Sequence, residues 1–188
     1  MAAARLRVSV ATPDSVESAT KGLGPWVARV APMKATGDLS IAIVSDRRMR
    51  ALNRQFRGND AVTDVLSFPL LAPEAFPDHP GAAVRAPGRA TEPDFPLPPG
   101  RRPHLGDIVI SVERTIEQAE AGRGGQTGDV RWSAADELRL LATHGALHIC
   151  GWDHAEPAEE AAMRTLETRL LQSTSTSSSR SGPKSNGL

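Results

Sequence analysis

The stretch Ser133-Ala-Ala-Asp-Glu-Leu-Arg-Leu-Leu-Ala-Thr-His-Gly-Ala-Leu-His-Ile-Cys-Gly-Trp-Asp-His154 organises the rest of the chain around it. The Ser133 hydroxyl is suited to cap a helix, and Asp136, three positions on, to reach back to the capping residue as in a capping box. Leu138, Leu140, Leu141, Ala142, Ala146, Leu147 and Ile149 then cover most of the circumference, leaving a narrow polar strip near Arg139 and Thr143. A helix that is apolar nearly all round must be enclosed by other elements. This segment is therefore expected to be the central helix of the domain.

His144 and His148 are four residues apart, so at about 3.6 residues per turn both imidazoles leave one face of the helix, one turn apart. Gly151, three residues after His148, suits a left-handed helix end that folds the chain back through Trp152 and Asp153 and brings His154 to the same ion. Three imidazoles with a fourth position left to water is the pattern of catalytic zinc, whereas structural sites are closed by four ligands and rich in cysteine. A lone histidine on an apolar helix is more often a hydrogen-bonded core residue. Three of the chain's five histidines, with a helix-stopping glycine between the second and third, point instead to one Zn2+ per chain on His144, His148 and His154. Nickel and copper also accept imidazoles, and zinc is favoured by the open tetrahedral chemistry. Cys150 lies two residues after His148, which turns it to another side of the helix as a packed thiol.

Working outward, Arg5 to Ala11 alternates apolar and polar residues with the period of a half-buried strand, and Asp14 to Val30 reads as a first helix. Leu39 to Val44 is a second strand. Asp46 is positioned to cap a helix on which Met49, Leu52 and Phe56 recur at helical spacing. Val65 to Phe68 is a third strand, at an edge because Pro69 has no N–H for a ladder. Leu105 to Ser111 is a fourth strand, Val112 to Ala121 a helix, and Glu159 to Leu171 a last amphipathic helix through Met163, Leu166, Leu170 and Leu171. These elements predict one α+β domain over residues 1–172, with a small four-stranded sheet packed against helices. Leu71 to Pro103 holds nine of the fifteen prolines and reads as a long flexible insertion. Residues 173–188, rich in serine, read as a disordered tail.

At 188 residues and 39% apolar, the chain has enough material for one core. No apolar run approaches membrane-spanning length, and Met1 to Arg7 does not read as a secretory signal. A single cysteine excludes an internal disulfide, so a cytoplasmic location is expected. Twenty-two basic and 22 acidic residues cancel, which removes the global basic excess of many nucleic-acid binders. Local charge is uneven: Arg47, Arg48, Arg50, Arg54 and Arg57 fall in eleven residues without an acid. By itself such a run is more often a solvated helix face. The oligomeric state is not legible.

Histidines at relative positions 0, 4 and 10 with glycine at 7 match the metzincin metalloproteases, but metzincins carry a glutamate as general base after the first histidine. Gly145 occupies that place and cannot move a proton. Thr143 to His154 instead resembles the signature of the YbeY family, His-Gly-x-Leu-His-x-x-Gly-Tyr-Asp-His, with Trp152 in place of the tyrosine. Leu52-Asn53 through Arg57 to Thr63-Asp64-Val65-Leu66-Ser67-Phe68-Pro69, and Leu105-Gly106-Asp107-Ile108-Val109-Ile110-Ser111, match in the same order. The resemblance covers about Val8 to Leu171. It implies an endoribonuclease acting on single-stranded RNA, maturing ribosomal RNA at the small-subunit 3′ end and serving ribosome quality control. It also implies His144, His148 and His154 as metal ligands, and Arg57 as the catalytic cation beside them.

The chemistry of the residues agrees with those implications. Zinc lowers the pKa of its water from 15.7 to roughly 7 and polarises a phosphoryl oxygen, while a guanidinium such as Arg57 neutralises charge growing on phosphate oxygens. Asp107 and Asp153 are candidates to orient a histidine by accepting its second ring proton, and Asp64 to pin the turn before the third strand. A reading of another class remains beside these: a non-catalytic ribosome-assembly factor whose zinc braces the last helices.

Overall fold

The strand Gly37–Val44 buries every second residue, with Leu39, Ile41 and Ile43 almost inaccessible. It is β2, and it lies inside a four-stranded sheet of order β1-β2-β4-β3 in a computed structural model that describes residues 6–13, 16–31, 36–71, 100–122, 132–152 and 156–172. β1 (Leu6–Ala11) and β4 (His104–Ser111) flank β2 in parallel, and β3 (Val65–Pro69) closes the sheet antiparallel to β4. Pro69 ends an edge strand, as its missing N–H requires.

Each face of the sheet has its own cover. Leu39, Ile41, Ile108 and Ile110 meet α2 (Leu23–Val30) and α5 (Ala134–Ile149) in the main core. On the other face Met49 of α3 (Asp46–Arg57) packs with Leu66 and Val109. The last helix, α6 (Pro157–Gln172), lies over α5, its Met163 and Leu166 gripping Leu147. Helix α5 is thus enclosed on most sides, as its apolar circumference predicts. Its capping box is present, Ser133 Oγ accepting from Asp136 N while Asp136 takes the Ser133 N–H at 3.1 Å. This is the single α+β domain that the pattern of elements predicts.

Three details differ from the sequence reading. The first helix is broken into α1 (Glu17–Thr20) and α2, because Gly22 takes a left-handed conformation at φ 78°. Ser45, not Asp46, caps α3, its hydroxyl accepting from Arg48 N. Asp46 instead accepts from Ser111 Oγ and from the Arg114 guanidinium, tying α3 to α4 (Val112–Ala121). The Arg114 hydrogen bonds hold its carboxyl below the usual carboxylate range. Third, the end of the proline-rich stretch is anchored: Arg102 pairs with Asp38 at 3.0 Å and donates to the Gly37 carbonyl at 3.0 Å. Residues 72–99 of that stretch, the 173–188 tail and His154 lie outside the described residues.

Gly145 explains how closely α5 sits on the sheet. A Cβ there would stand 2.7 Å from Ile108 Cγ2 and 3.1 Å from Ser67 Oγ. The position metzincins fill with a base therefore faces the sheet in this fold, where no glutamate fits. Crowding of this kind costs about 1–3 kcal/mol, against roughly 1 kcal/mol that alanine gains over glycine in a helix. Gly145→Ala is expected to unfold at lower urea than the parent, and an unchanged or raised midpoint would contradict the packing described.

Candidate active site

The last turn of α5 and the three residues after it shape the site. Cys150 caps the helix, Gly151 turns left-handed at φ 83°, its N–H donates to the His148 carbonyl at 3.0 Å, and Trp152 N–H donates to the Leu147 carbonyl at 3.0 Å. This paired pattern is a Schellman motif. It reverses the chain so that the Trp152 carbonyl lies 2.9 Å from His148 Nδ1. The chain leaves the described residues there, two positions short of His154.

His144 and His148 are brought together as the four-residue spacing predicts, with ring centroids 4.7 Å apart and their Nε2 atoms 3.1 Å apart. On its far side, His144 Nδ1 lies 3.3 Å from Oε1 of Glu167 on α6. That contact is within ion-pair distance but is not aligned as a hydrogen bond, and the buried Oε1 has no hydrogen-bond partner. The Trp152 carbonyl can only accept, which places the His148 ring proton on Nδ1 and turns its Nε2 lone pair toward His144. Two ligands at about 2.0–2.1 Å from a tetrahedral zinc stand roughly 3.3 Å apart. The pair and its outer acceptors fit such an ion.

A cavity of about 840 Å³ runs along β3 and is lined by Asn53, Arg57, Asp64, His144, His148 and Trp152, among others. Arg57 enters it from the last turn of α3, which is fixed by Gly58 in a left-handed cap and by Asn53, whose amide donates to the Ala61 carbonyl at 2.8 Å. Arg57 is exposed, and no carboxylate among the described residues engages it. Arg50, one of its neighbours, is instead held by a two-pronged pair with Asp60 at 2.8 and 2.9 Å. Across His144 lies a second cavity of about 570 Å³, lined by Asp64, Glu160, Arg164, Glu167 and Thr168, among others.

A profile of the family Endoribonuclease YbeY matches residues 9–175. The chain belongs to the YbeY family. Curated YbeY endoribonucleases include one from an Anaeromyxobacter species, 38% identical over 139 residues covering 74% of this chain and 55% of the relative. One from Salinispora tropica is 41% identical over 138 residues, covering 72% and 73%. Another, from Anaeromyxobacter dehalogenans, is 33% identical over 168 residues, covering 89% and 70%. The chain therefore spans about half the length of the first relative and about seven tenths of the other two. YbeY proteins are endoribonucleases, hydrolases of RNA phosphodiester bonds.

Within this YbeY fold the other acids take separate places. Asp107 is engaged by His104 Nε2 at 2.9 Å, so it orients neither His144 nor His148, and Asp153 lies outside the described residues. Asp64 pins the start of β3, accepting from Val65 N at 2.8 Å and from Gln118 Nε2 at 3.0 Å. Cys150 is 3% exposed, and burial pushes its thiol pKa up to about 12, as befits a packed thiol. Sequence reasoning missed Glu167. Its one available signal was an acid four residues after Met163, on the flank of a helix that packs inward.

Proposed function

We propose that the chain is a zinc-dependent endoribonuclease specific for single-stranded RNA. The observation that carries this reading is the one cavity in which the exposed Arg57 guanidinium shares walls with His144 and His148. In this reading His144 and His148, on its wall, and His154, outside the described residues, hold one zinc ion per chain. Zinc, when bound, supplies Lewis acidity and lowers the pKa of a water to roughly 7. The Trp152 carbonyl keeps the His148 ring proton on Nδ1, so its Nε2 is left unprotonated for the ion, and the Glu167 carboxylate stands beside the far side of His144. Arg57, planar and permanently charged, pairs with the non-bridging phosphate oxygens as negative charge grows on them. The groove is open along an edge strand, which admits an extended strand.

The same reading places the protein in the cytoplasm, on ribosomal RNA and the small ribosomal subunit, with maturation of the small-subunit 3′ end and ribosome quality control as its tasks. Family membership supports this assignment, and no helix among the described residues is long and apolar enough to cross a membrane. The test is incubation of the zinc-loaded chain with a single-stranded RNA, the same RNA annealed to its complement, and a generic peptide, each with and without chelator. Cleavage of the single strand alone, abolished by chelator, is expected. Peptide cleavage, or RNA cleavage indifferent to chelator, would overturn the proposal.

A further inference from the structure

Phe56 stands on the same face of α3 as Met49 and Asn53, seven and three residues earlier. Those two are 0% and 5% exposed, whereas Phe56 is 57% exposed. The buried stripe of the helix thus runs one turn beyond the sheet that covers it, and ends in an aromatic ring. What holds that ring is Phe68 of β3, edge to face, with centroids 5.1 Å apart and planes at 66°. Leu70, two residues after Phe68 in the chain, is also exposed, at 59%. Phe56 is thus a large hydrophobic ring held open to solvent by an aromatic partner. A soluble surface rarely keeps such a patch without a use.

Its surroundings say which use. Phe56 precedes Arg57, and Phe68 lies between Ser67 and Pro69; all three neighbours line the groove that holds His144 and His148. Arg57, the next residue of the helix, lines the groove, as does Trp152. An exposed aromatic ring next to the Arg57 guanidinium, which no carboxylate among the described residues engages, suits a polyanion carrying flat apolar groups, which is single-stranded nucleic acid.

We infer that Phe56, braced by Phe68, is a stacking platform for one unpaired base of the RNA strand whose phosphate lies on Arg57. The inference rests on the groove being the RNA site. It assigns the preference for single strands to a particular side chain: a base in a duplex has both faces occupied by its neighbours and cannot reach the ring.

The experiment separates stacking from charge. Zinc-loaded parent, Phe56→Ala, Phe56→Leu and Phe56→Tyr are titrated by fluorescence anisotropy, on ice to suppress turnover, with a single-stranded RNA and with a ribose-phosphate oligomer of equal length lacking all bases. Phe56→Ala is expected to weaken RNA binding roughly fivefold to a hundredfold and to leave the abasic oligomer unaffected. Phe56→Leu should stay close to Phe56→Ala, because it restores apolar volume but no π-face, and Phe56→Tyr should stay close to the parent. The dependence of affinity on salt should not change, since no phosphate contact is lost. RNA affinity unchanged in Phe56→Ala, full rescue by leucine, or equal losses for RNA and abasic oligomer would each overturn the platform. Chelator-sensitive cleavage by the parent is scored separately: its absence defeats the catalytic reading, while discrimination between the two oligomers reads the platform alone.

Discussion

His148→Ala is expected to lose its zinc and with it all RNA cleavage above background, while the domain stays folded. The expectation about folding comes from the neighbours of His148. Leu147 and Ile149, the residues on either side, are 0% exposed and packed against α6 and the sheet respectively. Removing the imidazole costs the Trp152 carbonyl its donor, a loss of about 1 kcal/mol, which the core absorbs. The expectation about zinc comes from ligand number: in the proposed site of three imidazoles, two cannot replace three where one position is already left open. Elemental analysis beside a urea unfolding curve checks both halves. A folded variant that retains one equivalent of zinc would refute the ligand assignment. A variant that loses its zinc and unfolds would support the rival view, in which the ion braces the last helices.

Arg57→Ala should separate cleavage from metal binding. A guanidinium has donors only and cannot ligate zinc, so zinc content should match the parent. Arg57 is exposed at the end of α3, where it carries no core packing, so the unfolding midpoint should also hold. Single-turnover cleavage of single-stranded RNA should fall by about two to three orders of magnitude, by analogy with the loss of one preorganised donor to a transition-state oxyanion. Arg57→Lys keeps the charge but loses the two-pronged fork, and should recover only part of the rate. Unchanged cleavage in Arg57→Ala would remove the residue from the mechanism. Parallel loss of zinc would make it a support for the metal.

Much of this was legible in the sequence because it rests on local rules. The capping box at Ser133, the His144 and His148 pairing on one helix face and the left-handed turn at Gly151 each follow from spacings of four residues or fewer. The burial of α5 followed from an apolar circumference that leaves no alternative. The features that were not legible depend on contacts between distant elements or on backbone atoms. Glu167 reaches His144 from a helix beginning thirteen residues later, and no periodicity announces which acid on α6 turns inward. The acceptor for His148 is the Trp152 carbonyl, a group every residue carries, whose placement is decided by Gly151. The break at Gly22 was missed because an isolated glycine is tolerated within a helical pattern, and only its left-handed φ of 78° shows the break. The reason Gly145 replaces a glutamate became visible only with Ile108 beneath it.

The groove's position along β3 has a consequence for self-association. An edge strand offers unpaired backbone groups to any other sheet, a common route to unwanted strand pairing. Here the edge is five residues long, ends in a proline with no N–H to give, and shares its groove with the Arg57 guanidinium. A second copy approaching edge to edge would bring its own guanidinium against this one, like charge against like. The feature that would receive a polyanion thus also deters sheet-to-sheet pairing, so neutralising Arg57 would weaken that protection as well as the proposed contact with phosphate.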